Sequence, residues 1–400
     1  MQDRKEMTKS NPLLPINRNV MGMMLMVVLV SMGEKMADRF LPIYLMALGG
    51  GALAVGLLSG SQNLIGAIYS FPGGYLSDRL GYKRALTIFN LMSLVGYLIA
   101  ILIPTWQAAL VGAMLFLSWS AISMPAMMSL VTESLPASQR TMGVTMHSLI
   151  KRLPMAVGPL FGGWIIATWG ETSGIRYAFI FAAAMTLVAI IIENKLVRSA
   201  HKSPTISSLH PITLFKRMSH QLRQLLVSDI LIRFCEQIPN AFVVIWCMKT
   251  IANPVTSVQF GVLTAIEMVT AVLVYIPVAR AADKTTKRPY VIMTFIFFAI
   301  FPAVLYVSQT FWILVVAFIV RGLKEFGEPA RKALILDLCP ADARAATFGL
   351  YYFIRDTIVS IAAFGGALLW LHSPELAFGV AFGFGIFGTI WFILSKEQTA

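Results

Sequence analysis

Charge is scarce in this chain. Asp, Glu, Lys and Arg make up 13% of its 400 residues, about half the share usual in soluble domains. With 57% apolar residues and a mean hydropathy of +0.74, that shortage argues against a water-soluble domain and for a chain solvated largely by lipid. Cysteine is scarce too: Cys235, Cys247 and Cys339 show no metal or redox spacing, so they read as small packing residues. No phosphate-cradling glycine loop is present, which leaves no ATP-driven step, and no potassium-channel filter sequence occurs. Alternating segments of about ten residues, the mark of a β-barrel, are missing. Residues 1–19 lack a small-residue cleavage site before the first apolar run, and read as a cytosolic tail. The expectation is a non-enzyme with no cofactor and no metal.

What is present is a series of apolar runs. Twelve candidates, broken at polar punctuation, cover about 20–45, 53–77, 84–103, 107–132, 141–168, 174–194, 226–248, 255–279, 289–308, 311–337, 345–370 and 374–394. With the N-terminus inside, the cytoplasmic connections hold nearly all basic loop residues, among them Arg79, Lys83, Arg84, Arg140, Lys195, Lys202, Arg217, Lys287 and Arg344, while the opposite ones hold only Arg176 and Lys249. The formal charge of +13 is thereby a signal of sidedness that also suits an anionic leaflet, not of nucleic-acid binding. The expectation is an all-α membrane protein with twelve transmembrane helices in two pseudo-symmetric six-helix bundles. It divides into a tail (1–19), an N-terminal bundle (20–194), a cytoplasmic linker (195–225), a C-terminal bundle (226–394) and a tail (395–400), with both termini cytoplasmic. Within the linker, LFKRMSHQLRQLL (214–226) has a basic amphipathic pattern that suits either a helix on the membrane surface or a plain lead-in to the next span.

The halves echo one another at an offset of about 205 residues. Gly56-Leu57-Leu58 falls on Gly261-Val262-Leu263, Gln62 on Glu267 and Asp78 on Asp283. One residue out of step, Pro125, Glu133, Pro136 and Arg140 match Pro329, Asp337, Pro340 and Arg344; Gly162-Gly163 also corresponds to Gly365-Gly366, two residues out of step. Parallel repeats of this kind imply two related halves with a pathway between them.

Within this frame GGYLSDRLGYKR (73–84) resembles the loop signature of the major facilitator superfamily, with Gly74, Asp78, Arg79, Gly81, Lys83 and Arg84 at its defining positions. PMAVGPLFGG (154–163) is similar to the antiporter motif of that family through Gly158, Pro159, Gly162 and Gly163, with Pro154 in place of a glycine. The second-half loop keeps Asp283 but has lost its glycines. The resemblance implies a secondary transporter near the bacterial multidrug/proton antiporter branch, monomeric, in a bacterial inner membrane. It also implies a gating role for the signature loop; for Glu133 with Arg140 and Asp337 with Arg344, a latch and solvated helix ends stay equally open. The fourth span lacks the central arginine that many proton-linked exporters carry; Trp119 and Ser120 stand there instead.

The charged residues inside apolar spans are the candidate chemistry. RGLKEFGEPARKALI (321–335) carries Arg321, Lys324, Glu325, Glu328, Arg331 and Lys332, and Arg321 falls about 15 Å into its span at 1.5 Å per residue. Each charge facing lipid at mid-depth costs about 2.5–3.5 kcal/mol, so the stripe has to face protein or a wet cavity. A packing device and a transport site are both consistent with such a network. Candidate proton carriers are Glu34, Asp38, Glu267, Glu325 and Glu328; Glu34 and Asp38 share a helix face, and Glu267 has no basic neighbour in sequence. Candidate substrate ligands are Lys35, Trp119, Lys151, Glu236, Arg321, Lys324 and Arg355. The leading expectation is proton-coupled export of a small charged or amphiphilic organic solute by alternating access. The alternatives are uptake of an organic anion or siderophore-like compound, and a membrane scaffold or lipid-handling protein that does not pump.

Overall fold

A computed structural model describes residues 18–117, 119–123, 127, 140–197, 211–282, 286–340 and 344–395. All regular structure among them is helical. Helix α1 (Arg18–Asp38) leads after a break into α2 (Leu41–Ala47), with Pro42 in the first turn of α2. Pro supplies no amide donor and restricts the residue before it, so the chain steps sideways at Arg39–Phe40 rather than continuing straight. Next come α3 (Gly51–Leu80), α4 (Tyr82–Leu102) and α5 (Trp106–Phe116), the last capped by the Thr105 hydroxyl accepting from the Ala108 amide. A short helical turn at Trp119–Ile122 precedes α6 (Arg140–Trp169) and α7 (Glu171–Leu196).

Beyond residues 198–210 follow α8 (Pro211–Arg217), α9 (His220–Asn240) and α10 (Val243–Thr250). The last two form a pair bent by 42°, and Pro239 supplies the break. The chain then forms α11 (Ser257–Ala282), α12 (Arg288–Val307), α13 (Phe311–Leu323), α14 (Glu328–Leu338), α15 (Arg344–His372) and α16 (Pro374–Leu394).

The protein is an all-α, multi-pass membrane protein, but the expected twelve spans in two six-helix bundles are not what the helices give. Among the described residues seven helices are long and apolar enough to cross a membrane, or eight if the bent α9–α10 pair is one span. The differences have local causes. The expected span 311–337 is cut into α13 and α14 by turns at Lys324–Gly327, where Pro329 and a cluster of charges disfavour a continuous apolar helix. The expected span 107–132 yields only the 11-residue α5 and the turn at 119–122, and runs into residues outside the described set. Helix α6 dilutes its apolar run with Lys151, Arg152, Pro154, Pro159 and four glycines.

Packing fixes where a cavity can lie. Helices before residue 197 pack on one another through α1–α7, α1–α6, α4–α5 and α4–α7, and those after residue 220 through α9–α16, α9–α15, α12–α16 and α11–α13. The two sets meet along the α3–α15 and α6–α11 seams. Both seams are built from glycine, which lets backbones approach where lipid gives little drive for association. A Cβ at Gly56 would fall 2.3 Å from the Ala367 Cβ, and one at Gly261 would fall 2.6 Å from the Pro159 carbonyl. These two glycines are repeat counterparts in the sequence, and each sits on its own seam. At the end of the molecule opposite the basic connections, one apolar core spans α1, α2, α10, α11 and α13, with Phe40 edge-on to Phe260 at 5.7 Å and Phe260 edge-on to Phe318 at 5.8 Å.

Candidate functional site

Beneath that aromatic layer lies a cavity of about 330 Å³, lined from α1 and the α1–α2 break, α3, α9, α10, α11 and the end of α13. Asp38, Arg39, Gln62, Glu236, Glu267 and Arg321 are among its polar walls, with Asn240, Lys324 and Glu325 completing them. Apolar contact comes from Leu58, Val243, Phe260 and Met268. A concave, part-apolar space with a few converging polar groups is the usual form of a small-molecule site.

Its centre is Glu267. The carboxyl Oε1 lies 3.3 Å from Arg321 Nε and 3.6 Å from an Arg39 guanidinium nitrogen. Arg321 Nη2 donates to Asn240 Oδ1 at 2.9 Å, and its guanidinium stands over Phe301 at 5.3 Å and Phe318 at 5.6 Å. Two buried atoms here make no hydrogen bond, Glu267 Oε2 and Arg321 Nε. Buried polar atoms are nearly always hydrogen-bonded, so a free acceptor oxygen beside an Arg321 Nε that meets Glu267 Oε1 only as an ion pair at 3.3 Å marks a place built to accept something further. One turn on, Glu236 receives Lys324 at 2.7 Å and Arg233 at 2.5 Å, and Lys324 Nζ lies 4.9 Å from the Phe298 ring centre. Each central carboxylate is therefore bracketed by two cations, and each bracket carries one surplus positive charge.

The helix break at Lys324–Gly327 lets the charged run from 321 to 332 serve two separate places. Arg321, Lys324 and Glu325 line the cavity, and Glu325 also receives Arg152 of α6 at 3.2 Å. Glu328 and Arg331 turn to a second, drier cluster. There Arg331 bonds Asp229 and holds Glu328 at 2.6 Å, while Arg355 reaches Asp229 at 3.3 Å and Asp356 at 2.7 Å, and the Tyr351 hydroxyl donates to Asp229 at 3.1 Å. Lys332 lies 3.3 Å from Glu328. The single stripe expected from periodicity does not persist across this break.

Other candidates fall as follows. Glu34 and Asp38 share a face, but Lys35 lies 2.8 Å from each and offsets their repulsion. Glu267, without a basic neighbour in sequence, has two in space. Lys151 donates to Ser120 at 2.7 Å, and Trp119 is fully buried with its indole N–H on Asn90; neither lines the cavity. Gly158, Gly162 and Gly163, with Pro159 between them, form the α6 crossing with α1 and α11. A Cβ at Gly162 would fall 1.9 Å from the Met36 carbonyl, and the Gly163 carbonyl accepts from the Ser257 hydroxyl at 2.8 Å.

The signature stretch is less of a loop than its sequence implies. Gly74, Asp78 and Arg79 lie in the last turns of α3, their side chains outside the described set, and the link to α4 is Gly81 alone. Its φ of 80° is a conformation that side chains oppose. Lys83 donates to the Asn194 carbonyl at 3.0 Å and Arg84 is exposed. Asp337 pairs with Lys287; the side chains of Arg344 and Arg140 lie outside the described residues. Glu133 and Asp283 also lie outside them. Two lining residues, Arg39 and Asn240, were not singled out by sequence as site residues. The signal for each is a nearby proline, Pro42 and Pro239, which breaks a helix at the depth of the cavity.

The fold and site together define a class, a multi-pass helical membrane protein with an ion-lined central cavity. Comparison with known proteins gives the family. The profile of the Major Facilitator Superfamily matches residues 23–251 and 225–400, so the chain belongs to that superfamily. Among curated relatives, the quinolone resistance protein NorA of Staphylococcus aureus is 27% identical over 210 residues, covering 50% of this chain and 51% of the relative. The chain thus spans about half the length of the first curated relatives it matches. An uncharacterized MFS-type transporter of Methanocaldococcus jannaschii is 22% identical over 388 residues, covering 91% and 89%. Among solved structures, the nucleoside transporter NupG superposes with a TM-score of 0.78 at 15% identity, covering 95% of this chain and 100% of that one; at that identity the likeness concerns the fold.

Proposed function

We propose that this chain carries a small organic anion into the cell, the anionic group binding between Arg39 and Arg321 in place of, or beside, the Glu267 carboxylate. One observation carries the reading: two guanidinium groups from different helices converge on one carboxylate oxygen, while the other oxygen and Arg321 Nε are left without hydrogen bonds. Arginine suits an oxyanion because its planar fork can bind bidentately. The apolar wall of Val243, Phe260 and Met268 receives the carbon skeleton. The packing of Trp119, which stands where many proton-linked exporters of the family carry an arginine, also favours uptake over a standard drug/proton exchange. The end carrying the basic connections is cytoplasmic, with both chain termini there, in a bacterial inner membrane; the working unit is a monomer.

A second reading, export in exchange for protons, draws support from the NorA likeness and from the glycine crossing at Gly158–Gly163. In it Glu34, Asp38, Glu267, Glu325 or Glu328 takes up the proton. Flux of a carboxylate panel into and out of oriented proteoliposomes, with and without a pH gradient, separates the two. Inward anion movement supports uptake. Outward movement of cationic drugs that requires a pH gradient would falsify it.

A further inference from the structure

Away from the central cavity, near the basic end of α7, Glu193 is fully buried. Ala189 and Val197, one turn to either side of it, belong to an apolar core with Met26 of α1, Leu86 and Phe89 of α4, and Trp119. The other buried carboxylates among the described residues, Glu34, Asp229, Glu267 and Glu328, each have a cation within ion-pair distance. Among the described residues Glu193 bonds only neutral groups, Thr87 Oγ at 2.8 Å from Oε1 and Asn90 Nδ2 at 2.8 Å from Oε2. A buried carboxylate without an ion-pair partner is costly.

Counting donors shows how this small network responds to a proton. The Trp119 indole N–H only donates, and it lies 2.7 Å from Asn90 Oδ1. That fixes the amide, so Asn90 must present its NH2 to Glu193. Thr87 is less constrained. Its hydroxyl lies 3.1 Å from the Lys83 carbonyl as well as 2.8 Å from Glu193, yet it holds one proton. When Glu193 is ionised, Thr87 has to donate to it and lose the Lys83 carbonyl. When Glu193 is protonated, its own O–H donates to Thr87 Oγ and the threonine proton returns to Lys83.

We infer that Glu193 is a proton-binding site outside the transport cavity, and that the Thr87 hydroxyl passes its charge state to the first turn of α4. That turn follows the Gly81 hinge and carries Lys83 and Arg84 of the signature stretch, so the site is joined to the element the family resemblance assigns to gating. The charged groups near it are few. From α4, Lys83 faces it but is held on the Asn194 carbonyl at 3.0 Å, and Arg84 points to the surface. On α7, Lys195 is exposed. At this level α1 presents Met23, Met26 and Val27, and α6 presents Ile150. The proton exchanges with the aqueous phase at the basic end, one turn beyond Glu193. The assignment stands apart from the solute reading above, and needs no substrate to test.

Infrared difference spectroscopy of the full-length protein in lipid nanodiscs, between acidic and alkaline buffer, reads protonated carboxyl groups directly. We expect a carbonyl band that titrates in the wild type and is lost in Glu193→Gln. In Thr87→Val the band persists but is displaced, because the acid has lost its acceptor; this variant keeps the test valid if Glu193→Gln does not fold. An identical band in wild type, Glu193→Gln and Thr87→Val would overturn the assignment, as would a Glu193→Gln spectrum missing nothing.

Discussion

Replacing Gly162 by alanine puts the close approach of α6 and α1 to a quantitative test. The new Cβ would lie 1.9 Å from the Met36 carbonyl oxygen and 2.9 Å from its carbon, whereas ordinary contact begins at 3.4 Å. The obstacle is backbone on both sides, so no side chain can swing away, and the helices must part by about 1.5 Å. Overpacking of this kind costs about 1–3 kcal/mol, and the absence of a yielding side chain places Gly162→Ala at the upper end. Gly365 supplies the control, since a Cβ there meets nothing within 4 Å. Relieving a helical glycine of its backbone freedom stabilises by about 0.5–1 kcal/mol, so Gly365→Ala should be neutral or slightly stabilising. Its neighbour Gly366, whose Cβ would fall 2.4 Å from the Ile238 carbonyl, should behave like Gly162. Thermal unfolding of the purified variants in one detergent gives the comparison. Equal midpoints for Gly162→Ala and Gly365→Ala would show that the helices do not approach as described.

Three further outcomes follow from the ion networks. Arg321→Met leaves Glu267 buried beside Arg39 alone and should destabilise by about 3–5 kcal/mol, while adding Glu267→Gln should recover most of the loss; a double-mutant cycle on unfolding midpoints checks the coupling, and additive losses would refute it. Trp119→Phe keeps the ring but strands the buried Asn90 carbonyl, at about 1–3 kcal/mol by the same assay. Lys249→Ala breaks a pair whose side chains are 50% and 33% exposed and should change stability by no more than about 1 kcal/mol; a larger loss would mean that this pair holds the outer ends together.

Much of this molecule could be read from its sequence, and what could not has physical causes. Composition and run length gave a helical membrane protein, because every backbone polar group in lipid must be paired within a helix. The count of spans failed where prolines and charges cluster, at 324–329 and through α6, since window reading assumes that an apolar run stays one helix. Arg321 and Lys324 were singled out because a charge at mid-depth must face something other than lipid. Glu267 stands out for the same reason, but its pairing with Arg321, and the parts played by Asn240 and Arg39, are not legible, because these residues lie on different elements and are joined only by packing. Glu193 escaped notice for a related reason. Near a helix end a lone glutamate looks solvated, and only the folded chain shows it fully buried with Thr87 and Asn90 as its partners.

The central claim is that Arg39 and Arg321 form an oxyanion clamp around Glu267. Thermal-shift binding measurements on wild type and Arg321→Met, across small carboxylates, organic cations and metal chelates, test it most directly. The clamp predicts that carboxylates stabilise the wild type and leave the variant's midpoint unchanged. Stabilisation of both proteins by cations alone would contradict it.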